Sequence, residues 1–354
     1  YSAIAGDGGP NVRAAKRIIV KMFPWILNIY DPCHNLNLMM KDLGKLFKKD
    51  LGLVSALSNF FGKSNIGTYH LTQERANMNI GEGMKSASET RFSTTYIQTL
   101  AVQTCMPAIN SCYRSGTLLF DTKAILGTTP AHYVFMSSLA TIVQLMSSIA
   151  NGILTLEGQN TTCADVFFVW VCIAWHLEKV LADPKSSAGG YRAAVIEIYN
   201  TRFEQMMTES SCNVFLLSYF LHPSTSRHSV RGTFNNADDI SEYRKFGGLQ
   251  LTMPTRLNGE QLKPSQYPPL FKILVKAALM ILQGEQQRLN TGGKEEALQL
   301  TEELIRYAYN QGPFDSQYWD NSTKPLKFWQ RLSNDSNAKQ IGVKSQFSFI
   351  CRPN

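Results

Sequence analysis

Apolar positions come in two short runs at the start of the chain and then recur at helical spacing almost to its end. Ser2-Ala-Ile-Ala-Gly6 and Trp25-Ile-Leu-Asn-Ile-Tyr30 read as strands. Between them Asp7 enters a Gly8-Gly9-Pro10 turn, and Val12 to Met22 reads as a basic helix. Asp31-Pro32 is a good helix start, with Asp as N-cap and Pro at the first helical position. Leu36, Met39, Met40, Leu43, Leu46 and Phe47 then recur at helical spacing, and Leu53, Val54, Leu57, Phe60 and Phe61 continue the pattern. Residues 64–90, rich in Asn, Gly, Ser and Thr, predict an exposed loop. Further helices are predicted over about 94–113, 131–149, 166–181, 191–207, 268–288, 294–309, 326–332 and 338–349. Thr162-x-x-Asp165 resembles a capping box before the helix over 166–181, and Asp183-Pro184 ends that helix. Residues 223–265 are Ser-, Gly-, Asn- and Pro-rich, too long for an ordinary connection, and are expected to be partly disordered. The fold class expected is therefore predominantly α, with a small α/β portion at the N-terminus.

Composition narrows the class of protein. A hydrophobic content of 44% with 18% charge is that of a globular chain. The most apolar stretch, Val166 to Val180, carries His176, Glu178 and Lys179 and reads as a buried helix, so no membrane partner is expected. Seven cysteines, an odd number without C-x-x-C spacing, argue against a disulfide framework or zinc knuckle and for a reducing compartment. The net charge of +8 is unevenly placed. Residues 13–63 hold nine Lys and Arg against three Asp, and the last 31 residues hold six against one. Basic clusters of this kind fit a polyanion, and equally fit solvated helix faces. Residue 1 is not Met and the first strand begins almost at once, which suggests a fragment, a processed chain or a partial gene model.

Asp7, at the end of a strand beside two glycines, is placed where a divalent cation could reach it, and hard carboxylate oxygens suit Mg²⁺. By itself Asp7-Gly8-Gly9 reads as a turn. Asp31-x-x-His34 puts an acid and an imidazole near one helix N-terminus, and by itself reads as a cap and a core-edge histidine. Arg91-Phe92, within Glu89-Thr-Arg-Phe-Ser-Thr94, sets a guanidinium beside a ring that could hold a phosphate and stack on a base. No P-loop, H-E-x-x-H, G-x-S-x-G or dinucleotide fingerprint occurs.

Taken in order, these segments resemble the hAT superfamily of DNA transposases. Asp7 with Asn11 is similar to the family's second catalytic aspartate and its D-x-x-x-N turn. Asp31 and His34 are similar to the motif that opens its helical insertion, and Thr90-Arg91-Phe92 to its Thr-Arg-Trp segment with Phe for Trp. Leu156-Glu157 through Ala164-Asp165-Val166 to Trp170 resembles scaffold of that insertion. Lys324 to Trp329 with Ala338 to Asn354 resembles the entry to the C-terminal dimerisation region.

The resemblance implies a truncated ribonuclease-H-like remnant over 1–35, a large helical insertion over 36–320 and a C-terminal return segment over 321–354. It implies Mg²⁺-dependent cleavage and strand transfer as the parent activity, in the nucleus, with DNA and a homo-oligomer as partners. Asp7 would be a vestigial catalytic residue and a weak metal ligand. Arg13, Lys16, Arg17, Asp31, His34, Arg91 and Phe92 would lie near DNA. Because the family's first aspartate and final glutamate have no counterpart here, this chain is expected to be inactive in cleavage, a fragment or domesticated relative. The alternatives are a non-catalytic nuclear DNA-binding or protein-interaction module, and a helical scaffold with no nucleic-acid role.

Overall fold

The computed structural model describes residues 3–85, 93–116, 125–210, 213–222, 253–256, 260–309, 311–314, 325–332, 338 and 341. Helices dominate them. The N-terminal segment is a β-α-β unit: β1 (Ala3–Gly6), α1 (Pro10–Met22) and β2 (Leu27–Tyr30). The strands are parallel and in register, Ala3 opposite Leu27 and Gly6 opposite Tyr30. Pro10 at the first helical position starts α1, where a missing N–H costs nothing. The Asp31-Pro32 start of α2 (Pro32–Leu46) is formed as expected, with the Asp31 carboxylate accepting from the His34 N–H at 3.1 Å.

The remaining elements are α3 (Lys48–Lys63), α4 (Asn65–Asn77), α5 (Ser93–Arg114), α6 (Pro130–Leu156), α7 (Cys163–Ala182), α8 (Arg192–Glu209), α9 (Val214–Phe220), α10 (Pro269–Leu289), α11 (Lys294–Ala308) and α12 (Pro325–Leu332). Helix α4 corrects the first half of the loop expected over 64–90; residues 78–85 are non-helical, and 86–90 lie outside the described residues. Ser64 caps it, its Oγ accepting from the Gly67 N–H at 2.9 Å, and Leu71 is buried. The capping interaction before α7 is present: the Asp165 carboxylate accepts from the Thr162 N–H and hydroxyl at 2.8 and 2.7 Å. The long segment 223–265 lies largely outside the described residues, as do most of 338–349 and both Arg91 and Phe92.

The chain divides into two compact units. One comprises residues 1–35, 155–174 and 199–354; the other comprises 36–154 and 175–198. The expected 36–320 segment is thus shared between them. In the first unit Trp329, Tyr307, Phe314, Phe220 and Phe271 form an aromatic core, and the Trp329 indole N–H donates to the Leu221 carbonyl at 2.9 Å. In the second, α3, α4 and α5 bury Val54, Leu57, Phe61, Leu71, Val102, Met106 and Ile109 together with Phe135 and Leu139 of α6. Helix α6 is long and apolar enough to cross a membrane, with mean hydropathy 1.6 over its best window. More than half of that window is buried in the protein, as in a core helix.

Candidate functional site at the carboxyl ends of β1 and β2

Parallel pairing sets the geometry of the site. Because Gly6 is opposite Tyr30, the next residues, Asp7 and Asp31, leave neighbouring strands at the same level. The Asp31 N–H donates to the Gly6 carbonyl at 3.1 Å, which extends the ladder to that point. Strand spacing of roughly 5 Å sets the scale of the separation. Asp7 is exposed and Asp31 half-buried.

Both carboxylates already serve local turns. Asp7 Oδ1 accepts from the Gly9 N–H at 3.0 Å and closes the turn into α1. Asp31 Oδ1 caps α2. A Cβ on Gly8 would lie 2.7 Å from the Tyr30 hydroxyl and 3.2 Å from the Arg13 guanidinium, so a side chain there would force one of them to shift. The Tyr30 hydroxyl also accepts from Gln205 at 3.4 Å, and its ring meets His34 edge-on, with centroids 6.3 Å apart. His34 is half-buried and packs on this tyrosine. Asn11, at the second position of α1, is exposed.

The basic residues of α1 divide by side. Lys16 is buried, 5% exposed, and its ammonium donates to the Ile29 carbonyl at 2.7 Å, with the Gly6 carbonyl at 3.4 Å. This corrects the placing of Lys16 on a DNA-facing surface, because its donors are turned into the sheet. Arg13 is half-buried against Gly8, whereas Arg17 and Lys21 are exposed. Among the described residues no carboxylate pairs with Arg17 or Lys21. In the second unit Lys41, Lys45, Lys48, Lys49 and Lys63 are exposed, and Lys45 pairs with Asp42 at 2.7 Å.

Among the described residues, the donor set at this rim falls short of a two-metal centre. Such a centre needs several carboxylates to hold two ions about 4 Å apart. Among the described residues no group of three or more His, Cys, Asp or Glu side chains converges. Asp7 and Asp31 remain a pair, and no chemical step is derived through a metal.

Sequence reasoning missed Tyr30 and Gln205, which meet across 175 positions and carry no local signal. It also missed the turn after α1, Phe23-Pro24-Trp25-Ile26, although two aromatics around a proline beside a basic helix were visible. No protein-family model, curated protein or solved structure matches this chain.

Proposed function

We propose that this chain is a DNA-binding protein derived from an hAT-type transposase, acting in the nucleus and not cutting DNA itself. On this reading β1, α1 and β2 are a remnant of a ribonuclease-H-like core, and the helical body is the insertion that accompanies it. The observation that carries the reading is the β-α-β unit. Acids leave the carboxyl ends of two adjacent parallel strands, and the helix joining those strands turns Arg17 and Lys21 to solvent. The non-catalytic form is favoured because Asp7 and Asp31 each spend an oxygen on their own backbone. A lone carboxylate pair holds Mg²⁺ weakly, since that ion keeps its waters unless well clamped. Self-association would use the outer edge of β1, which pairs only with β2 among the described residues and carries no charged or proline guard.

The test is binding of duplex DNA of unrelated sequences at low and moderate salt. The expected result is salt-sensitive, sequence-independent binding that weakens in an Arg17→Ala/Lys21→Ala variant, with a salt slope smaller by about one for each cation removed. No binding at low salt leaves a helical scaffold instead, and binding that the variant leaves unchanged puts the contact on a surface other than α1. Incubating DNA with the chain and Mg²⁺ is expected to give no nicking. Metal-dependent nicking that vanishes in Asp7→Ala would refute the non-catalytic form.

A further inference from the structure

We propose that the outward side of α1 and the turn that follows it form a stacking platform for single-stranded nucleic acid; this rests on the DNA-binding reading above. Arg17 and Lys21 are exposed, one helical turn apart, about 6 Å along the axis. Beside them Ile18 is 61% and Met22 62% exposed, and Phe23, directly after the helix, is 39% exposed. A duplex offers this surface phosphates only, because its base faces are stacked inside, and Ile18, Met22 and Phe23 gain nothing from phosphates. A single strand offers both: phosphates for the two cations and open base faces for a ring.

The aromatic turn is held in place before any ligand arrives. The Phe23 N–H donates to the Ile19 carbonyl at 2.8 Å, and the Ile26 N–H to the Phe23 carbonyl at 3.0 Å. Pro24 occupies the second position of this turn, where its fixed φ is favourable. The Trp25 backbone lies against Gly284 of α10, where a Cβ would come within 3.2 Å of the Trp25 Cα. The Phe23 ring leans edge-to-face on the Trp25 ring, with centroids 5.5 Å apart. The ring therefore needs little ordering on binding, which favours affinity. A lipid surface is less well matched, because an interfacial helix buries a broad apolar face. Here the outward side also presents Asn11, Ala14 and Ala15.

The experiment compares three probes at one low salt concentration by fluorescence anisotropy or co-sedimentation. They are an oligothymidylate, a duplex of the same length, and vesicles of phosphatidylcholine with phosphatidylserine. The full chain, Phe23→Ala and Phe23→Trp are each measured, with melting curves to confirm folding. The single strand should bind more tightly than the duplex. Phe23→Ala should weaken single-strand binding roughly 5- to 150-fold and leave the duplex unchanged. Phe23→Trp should restore the single-strand affinity. Equal or tighter duplex binding, or indifference to Phe23→Ala, overturns the platform while leaving the DNA-binding reading intact. Binding to vesicles without binding to the single strand overturns it in favour of lipid. No binding to either nucleic acid overturns both.

Discussion

Replacing Lys16 by methionine separates a structural role from a nucleic-acid role. Methionine keeps the length and apolar stem of the side chain and loses the cation. The 2.7 Å bond to the Ile29 carbonyl is a short charge-assisted one, a class that contributes about 1.5–3 kcal/mol. The 3.4 Å approach to Gly6 is near the limit of a hydrogen bond and adds little. Removing a buried cation also relieves part of its desolvation cost, which offsets some of the loss. The net destabilisation expected is about 2 kcal/mol. For a domain of about 150–250 residues each kcal/mol lowers the midpoint by about 2–4 °C, so calorimetry should show a drop of about 4–8 °C. DNA affinity and its salt slope, measured well below the transition, should not change. An unchanged melting point with the affinity lost in Lys16→Met would refute the reasoning, because Lys16 would then be a phosphate contact at the surface.

Asp31→Ala removes the cap of α2 and should cost about 0.5–2 kcal/mol in urea titration, while Asp31→Asn, which can still accept from the His34 N–H, should cost much less. Tyr199 is buried and donates to the Trp170 carbonyl at 3.0 Å, so Tyr199→Phe should lose about 1 kcal/mol. Burial also raises the Tyr199 phenol far above its ordinary 10.0. The unfolded phenol ionises first, its contribution is complete below pH 10.0 and falls as pH rises beyond it, and Tyr199→Phe should flatten that alkaline limb in denaturation curves. Burial lowers the His222 pKa below 6.5, with the Asp165 carboxylate opposing. The unfolded imidazole then takes the proton first, so stability present above pH 6.5 declines as pH falls below it, and His222→Gln should remove that acid-side decline.

What the sequence made legible was local. The β-α-β start could be read because its signals sit within a few residues of what they control: Pro10 starts a helix, and Asp31 caps one through the third residue on. Helix α4 was hidden by its own surface. Only Gly67 and Leu71 of its thirteen residues are buried, and Ile66 and Tyr69 point outward, so its composition is that of a loop. Its signal was Ser64, whose cap can be recognised only once the helix behind it is granted. Lys16 was misplaced because a charge count ignores direction. Val12, Lys16, Ile19 and Val20 fall on one helical face, and that periodicity would have put the lysine inside with the valines. The contact of Tyr30 with Gln205 was beyond reach, since nothing local to either residue announces the other.

The roles of Asp7 and Asp31 were illegible for a different reason. A carboxylate that closes a turn and one that holds a metal occupy the same position in a sequence, and only a converging third ligand separates them. Helix α1 shows the corresponding division among cations. At 3.6 residues per turn, neighbours such as Lys16 and Arg17 point in different directions. One closes on strand carbonyls and the other meets solvent. The nucleic-acid reading of this helix therefore rests on two clearly exposed cations, not on its full basic content. Two neutralised phosphates imply a logarithmic salt slope of about −1.8 on duplex DNA and about −1.4 on a single strand from α1 alone. A slope this shallow leaves the choice of ligand to uncharged contacts, and on this surface those are Ile18, Met22 and Phe23. On the proposed reading, electrostatics would bring the polyanion to the helix, and the exposed ring after it would decide whether bases must be unstacked to stay.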